Sequence, residues 1–401
     1  MNRCSFVCVI VLVSCLLAAT GCLVYSTFAG PLDPPAGPVS PTYKTLAEVE
    51  PRMAVNATNT PGDAGTVYRI TQPGSYYLTS NISGVALKHG VQISSSGVTL
   101  NLNGFDLMGV AGSLDGVSAG MNDLTNIAVV NGSIRNWGGR GIDLGTMSAN
   151  NCRVAEVLAS GNIGYGIGTG AGSTITSCSA YNNSGGGINV LSVCSITNCS
   201  VYDNAANGIS AGQVCTVSNC TAFTNTGVGV DTSSGCTITN CAAFFNTGTG
   251  INTGSGSTIS NCSSFQNTGS GISVMTGSAV TDCAARFNSA DGIVCVAQCF
   301  IQGNTCSTNG AANGAGIHAT GSDNRIEGNA CAAADRGIDV DGSGNVIIRN
   351  TCTGNSTNWA IAANNVCGPI VDRTTPGSAA INGNSAPDST GTTHPHANFT
   401  Y

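Results

Sequence analysis

Aliphatic residues recur at a fixed interval along this chain. From Cys152 onward a pattern of 21 residues repeats seven times, and three looser repeats follow at 299–323, 324–344 and 345 to about 365. The third repeat position is aliphatic from Val154 to Ile347, and the sixteenth is aliphatic from Ile167 to Ile361. A repeat of this length is too short for two helices, whereas its β-branched residues, Gly and Asn are typical of three short strands joined by tight turns. The pattern therefore predicts a solenoid of stacked β coils.

Leucine-rich repeats have a similar length but require a leucine framework, which is missing after Leu191. The remaining architecture is all-β, a single-stranded parallel β-helix of about ten to twelve coils, with equal positions stacked about 4.8 Å apart. Asparagine fills the eleventh position from Asn162 to Asn309. Because Asn tolerates left-handed turns and stacked amides bond along the axis, we expect a structural ladder rather than a site.

Two sequence features resemble a known family. The repeat has the form Asn-Cys-x-Ala-x-x-Asn followed by Gly-Ile, and the body opens with YRITQPGSYYLTSNI at 68–82 and GVTLNLNGFDL at 97–107. With these motifs the chain resembles the right-handed parallel β-helix repeat proteins of the pectate-lyase-like superfamily, particularly uncharacterised exported bacterial members. The resemblance covers most of residues 65–367. It implies the fold strongly and a function only weakly.

The two ends of the chain differ from the repeats. Residues 1–29 carry an early positive charge and an apolar run to about residue 24, which predicts an export signal. Lipidation at Cys22, cleavage after Ala29 and a retained anchor helix remain alternatives. Residues 30–64 are predicted to be a proline-rich linker with a short capping helix, and 368–401 a tail capping the last coil. We therefore expect an exported protein, on the cell envelope or outside it, that contacts the membrane only through a lipid anchor or uncleaved signal.

The composition of the chain excludes some classes of partner. The chain has 13 Lys and Arg against 20 Asp and Glu, and its net charge is −7. The basic residues are scattered, so no patch would neutralise a nucleic-acid backbone. An apolar fraction of 41% excludes wholesale disorder. We expect a monomer with no nucleic-acid partner.

The 20 cysteines fall mainly at the first and sixth repeat positions. None has Cys-x-x-Cys spacing, so the pattern gives little support to a zinc site. Disulfides between neighbouring coils would need local distortion, because stacking holds the β carbons slightly too far apart. We expect buried free thiols that act as small apolar filler.

One cluster of polar residues is a catalytic candidate. The segment ADRGIDVDG contains Arg336, Asp339 and Asp341, and His318 lies 21 residues before Asp339. One repeat of separation places His318 beside Asp339 on the adjacent coil, where it could act as acid or base. Calcium would bridge the two aspartates if the protein were a lyase; otherwise no cofactor is expected. The alternative is a solvated set of surface ion pairs.

The ninth repeat position carries an aromatic stripe, defined as Tyr181, Tyr202, Phe223, Phe244 and Phe265, and Arg286 follows it. Strand alternation and the acceptance of an arginine place this stripe on the outside. Five outward rings would suit sugar rings or a partner surface. The alternatives are rings that fill the core or rings that a C-terminal segment covers.

These observations favour binding over catalysis. Carboxylates are few, and the Asn-Thr-Asp, Asp-Asp and Gly-His-Gly strings of polygalacturonase-like enzymes are missing. We expect the protein to bind a polysaccharide or another surface component without catalysis. One alternative is a lyase, hydrolase or epimerase that acts on a uronate-type polymer, and another is a structural or adhesive rod.

Overall fold

The computed structural model describes residues 51–146, 149–310, 313–372, 374 and 394–401. Arg52–Tyr401 forms one compact unit. The predicted export signal, Cys22 and the linker up to residue 50 lie outside the described residues. In the described part of the chain, no helix has the length and apolar character needed to cross a membrane.

Each coil contributes three short parallel strands, which stack into three faces. First-face strands contain repeat positions two to four, second-face strands positions seven to nine, and third-face strands positions sixteen to eighteen. The first face contains Met53–Ala54, Gly74–Tyr77, Val98–Asn101, the starts of Ala128–Arg135 and Arg153–Ser160, Thr174–Thr176, Ser195–Thr197, Thr216–Ser218, Thr237–Thr239, Thr258–Ser260, Ala279–Thr281, Phe300–Gln302, Arg325–Glu327, Val346–Ile348 and Val366–Cys367.

The second face contains Ile82–Ser83, Asp106–Met108, the ends of Ala128–Arg135 and Arg153–Ser160, Ser179–Tyr181, Ser200–Tyr202, Thr221–Phe223, Ala242–Phe244, Ser263–Phe265, Ala284–Arg286, Thr305–Ser307, Ala330–Ala332, Thr351–Thr353, Ile370–Asp372 and Asn398–Thr400. The third face contains Thr66–Ile70, His89–Ile93, Val117–Ala119, Ile142–Asp143, Ile167–Thr169, Ile188–Val190, Ile209–Ala211, Val230–Thr232, Ile251–Thr253, Ile272–Val274, Ile293–Cys295, Ala315–Ala319, Arg336–Val340 and Thr357–Ile361.

The register of the strands confirms the 21-residue repeat. Ile175 pairs with Ile196 on the first face, and Ile188 pairs with Ile209 on the third. The aliphatic residues of both stacks are fully buried from Val154 to Ile347 and from Ile167 to Ile338. The two stacks form the core as predicted, because every inward position meets an identical position on the next coil.

The number of coils exceeds the prediction. In the described part of the chain the third face has fourteen strands and the first face fifteen, which corresponds to about fifteen coils rather than ten to twelve. The early coils are longer than the repeat, since Val91 pairs with Val117 and Val117 pairs with Ile142. The sequence still indicates the two longer coils that begin near residues 97 and 126. The additional coils are those of Met53–Ala54 and Gly74–Tyr77, which precede them, and of Val366–Cys367, which follows the repeats.

The asparagine ladder is present, but its turn geometry differs from the expectation. The Asn225 side chain donates to Asn246 Oδ1 at 3.0 Å and accepts from the Asn204 backbone N–H at 3.2 Å. Left-handed backbone occurs one residue earlier, at Asn182 and Thr224 for example, with φ of 52° and 53°. The ladder residues thus face inward and satisfy backbone groups at the corner, while the preceding residue makes the turn.

The cysteines at the first and sixth repeat positions occupy corner positions of the same kind, whereas Cys295, Cys306, Cys331 and Cys352 lie within strands. All sixteen described cysteines are free thiols, and all but Cys367 are buried. The backbone N–H of Cys262 donates to Cys283 Sγ at 3.4 Å, and that of Cys283 donates to Asn304 Oδ1 at 2.9 Å. The thiol therefore takes the acceptor role that an asparagine has on later coils.

Candidate functional site

The third face presents two outward columns of side chains, one on each side of its buried aliphatic stack. Asp339 follows Ile338 and faces outward next to His318, with which it pairs in register. Asp291 lies two residues before Ile293, on the coil before His318. We call Asp291, His318, Arg336, Asp339 and Asp341 the His318 cluster.

The imidazole of His318 lies among three carboxylates. Its Nδ1 is 3.5 Å from Asp291, and its Nε2 is 3.0 Å from Asp341 and 3.8 Å from Asp339. Arg336 forms an ion pair with Asp339. The side chain of Asp339 is buried and that of Asp341 is exposed, so solvent reaches the cluster from one side.

The carboxylates fix the charge of the histidine. The hydrogen bond to Asp291, assisted by Asp341, outweighs burial and raises the pKa of His318 to about 9. Burial alone would raise the pKa of Asp291, but hydrogen bonds from His318 and the Ala315 N–H lower it. The hydrogen bond to Asp339 raises the pKa of Arg336. At neutral pH His318 is therefore a cation that can donate a proton rather than accept one.

The arrangement brings together all four residues of the predicted catalytic set. Within the described residues, His318, Asp339 and Asp341 also offer three donor atoms within 4.8 Å of one another, a group that could hold a metal ion. Sequence reasoning missed Asp291. The Asp-Gly-Ile string at 291–293 was the available signal, because it places a carboxylate on the coil directly before His318.

A second polar cluster occupies the same columns near the other end of the solenoid. Arg140-Gly-Ile-Asp143 repeats the tetrapeptide at 336–339, and Arg140 again pairs with the aspartate three residues on, at 2.9 Å. Asp115 accepts the Arg140 backbone N–H at 2.7 Å, and its carboxylate lies 3.1 Å from His89. The repeated Arg-Gly-Ile-Asp string could have revealed this cluster. Its recurrence shows that such ion pairs form wherever this string enters the third face.

The aromatic stripe lies on the outer side of the second face, and its five rings are half-buried. Tyr181, Tyr202 and Phe223 form a parallel stack with ring centroids 4.8 and 4.7 Å apart. Phe244 and Phe265 meet edge to face instead, at 6.3 Å. The stacked rings cover each other's faces and present their edges outward, whereas the edge-to-face rings leave ring faces accessible.

Two further aromatic residues extend the stripe. Phe245 and Phe287 occupy the tenth repeat position, and each contacts Phe265 edge to face, at 5.7 and 5.5 Å. They are 52% and 49% exposed. Sequence reasoning missed them because they fall outside the ninth-position column, although the Phe244-Phe245 pair in the sequence was a signal.

Known proteins share this β-helix architecture. A family model described as a right handed beta helix region matches residues 191–330. This segment is thus similar to right-handed β-helix regions, in agreement with the parallel coils of the structure. A comparison of this β-helix with curated protein sequences gave no match.

Solved structures share the fold at low sequence identity. The A-module of the Azotobacter vinelandii mannuronan C-5 epimerase AlgE6 is 16% identical, with a TM-score of 0.53 over 74% of this chain and 89% of that one. A mutant of the periplasmic alginate epimerase AlgG is 11% identical, with a TM-score of 0.49 over 77% and 82%. The Dettilon tailspike protein is 15% identical, with a TM-score of 0.42 over 71% and 58%. At these identities the similarity concerns the fold of the β-helix.

Proposed function

We propose that this exported β-helix binds a polysaccharide along its second face and does not cleave it. The observation that carries the proposal is the aromatic stripe, five half-exposed rings in one straight column. Within the described residues this column stays partly exposed, which is characteristic of a surface that meets a ligand or partner. The same fold serves a mannuronan epimerase, which supports a polysaccharide as the class of ligand.

The surface around the stripe suits sugars. Hydroxyl side chains occupy the neighbouring outward positions of the second face at Ser179, Ser200 and Thr221, and of the first face at Thr237 and Thr239. Aromatic rings contact the apolar faces of sugars, and hydroxyls bond their edges. Strands stack about 4.8 Å apart, close to the length of one sugar in an extended chain. A polymer parallel to the axis would therefore meet an aromatic ring on each coil of the stripe, with hydroxyl groups beside it.

The His318 cluster supports binding over catalysis. Each of its charged groups already has an opposite charge within reach, from Asp291 and Asp341 to His318 and from Arg336 to Asp339. A histidine must be neutral to act as a general base, but the raised pKa keeps His318 protonated. The cluster thus has the features of a satisfied set of ion pairs.

Substitution of the stripe tests this proposal. Phe223→Ala and Phe244→Ala should each weaken the retention of the protein on immobilised polysaccharide by about tenfold, the effect of losing one aromatic contact. Because both rings are half-exposed, the melting temperature should fall little. Met275→Ala, an apolar truncation at a more exposed position outside the stripe, should change neither property. A large fall in melting temperature with unchanged retention would show that the rings serve packing.

A second function, acid-assisted cleavage or epimerisation of a uronate polymer, is favoured by one observation. His318 is a proton donor on a solvent-accessible face, next to the exposed carboxylate of Asp341. If this function is real, His318→Ala abolishes turnover of such a polymer while binding persists. Turnover that survives the substitution would exclude His318 as the acid.

A further inference from the structure

We propose that Phe245, Phe265 and Phe287, which we call the phenylalanine corner, form with Arg286 a subsite for an anionic sugar residue. The inference rests on the proposed polysaccharide binding and names the class of ligand, a sugar that carries a carboxylate or sulfate. Four observations support it: backbone conformation, exposure, ring geometry and an arginine without a side-chain partner.

The backbone at the corner is unfavourable for aromatic residues. Phe245 and Phe287 have φ of 56° and 57°. At the same corner of other coils the chain uses Asn182, Asp203 or Gln266, with φ of 51° to 54°. A bulky side chain is an outlier in this left-handed region, where Asn and Asp are well tolerated. Since polar residues make the same turn elsewhere, folding does not require the two phenylalanines.

The exposure of Phe245 and Phe287 makes phenylalanine still more unusual at this corner. About half of each side chain of Phe245 and Phe287 is accessible to solvent. Strain kept at an exposed apolar residue is characteristic of positions that act on a ligand. The corner is therefore better explained by binding than by packing.

The ring geometry leaves apolar faces open. Phe265 lies between Phe245 and Phe287 and meets both edge to face, with interplanar angles of 87° and 73°. In the parallel stack of Tyr181 and Tyr202 the rings cover each other, with an interplanar angle of 1°. A sugar ring can therefore lie against a phenylalanine face at the corner but only against ring edges farther along the stripe.

Arg286 supplies the positive charge of the proposed subsite. It pairs in register with Phe265, continues the stripe on the next coil and is exposed. Within the described residues no carboxylate or other side chain bonds its guanidinium, whereas Arg135, Arg140 and Arg336 all pair with aspartates. A free guanidinium beside an apolar platform can bind a carboxylate or sulfate through two parallel hydrogen bonds. Charge complementarity therefore selects an anionic sugar over a neutral one.

Matched polymers test the charge preference. The full-length protein is passed over immobilised polygalacturonate and its methyl ester, and over dextran sulfate and dextran. We expect at least one anionic polymer to bind about tenfold more tightly than its neutral partner, the effect of one charge-assisted contact. The pair of polymers that differs in affinity shows whether the subsite prefers a carboxylate or a sulfate. Arg286→Gln should abolish the difference, while Arg153→Gln, which removes another exposed arginine on the first face, should preserve it.

Phe245→Asn and Phe287→Asn test the corner itself, because Asn suits the left-handed turn. Both should weaken binding of the anionic polymer with an unchanged or higher melting temperature. A lower melting temperature with unchanged binding would overturn the proposal, since it would assign the rings to packing. Retention of charged and neutral polymers with equal affinity would overturn the subsite but leave polysaccharide binding intact. No retention of any polymer would refute both.

Discussion

Among the described groups at the solvent-facing surface, His318 has the pKa that is shifted farthest from its usual value. Three carboxylates surround its ring at 3.0 to 3.8 Å, and Arg336 neutralises one of them. The charged imidazole is therefore more stable in the folded protein than in water. This stabilisation links the stability of the fold to pH.

The free energy of unfolding should decrease as the pH rises past neutrality. The pKa of His318 is about 9 in the folded protein, above the usual histidine value of about 6.5. Its contribution is full below the unfolded pKa of about 6.5 and is lost as the pH rises through 9. The loss is at most about 3 kcal/mol, and solvent screening of the exposed Asp341 reduces it. Thermal unfolding of the unchanged protein and of His318→Gln between pH 6 and 10 measures this loss of stability. The variant should show a flatter pH dependence over this range; identical pH profiles would contradict the assigned ion pairs.

Residue spacing predicted the contact between His318 and Asp339, because one repeat equals one coil. It did not predict Asp291, which lies 27 residues before His318 and so departs from the 21-residue interval. The exposure and orientation of side chains were harder to predict than the contacts between coils. The outward direction of the aromatic stripe followed from strand alternation, but whether its rings stack or meet edge to face depends on side-chain rotamers.

At the scale of the elements, the strands are only three residues long in most coils, and the ladders connect them. Asn225 is fully buried and bonds to coils on both sides. Its side chain also donates to the Val201 carbonyl at 3.2 Å. Because buried backbone groups at each corner depend on such amides, the ladder stabilises the turns between faces.

Asn225→Ala should destabilise the protein by about 2–4 kcal/mol, because it leaves buried donors and acceptors of neighbouring coils unpaired. Asn189→Ala is the control, since Asn189 is half-buried on the outer third face, and its effect should stay within about 0.5 kcal/mol. Chemical denaturation gives both values. Equal small effects would show that the ladder contributes little to stability.

The sequence predicted the ladder but not which residue makes the turn. Asn183 and Asn204 both occur where left-handed conformations are common, yet the preceding Asn182 and Asp203 adopt positive φ. Strand boundaries and column positions follow from periodicity. The choice between two adjacent polar residues at a corner depends on backbone packing that periodicity does not encode.

For the whole molecule, repetition made the architecture predictable. Each coil buries the same aliphatic positions, from Val154 through Ile238 to Ile347, so the fold follows once the interval is found. The number of coils was underestimated because the coils before residue 97 and the coil of Val366–Cys367 do not carry the repeat motif. Function is less predictable, since the same fold carries different surfaces.

The central claim is that the molecule binds a polysaccharide and leaves it intact. The most direct measurement incubates the full-length protein with soluble neutral and uronate polymers plus calcium, and sizes every polymer by chromatography with refractive-index detection for the polymer and ultraviolet detection for protein and unsaturated products. We predict that at least one polymer co-elutes with the protein at its original length. Shortened or unsaturated chains would contradict the claim and direct attention to His318, Asp339 and Asp341, and the absence of any co-elution would favour a structural rod.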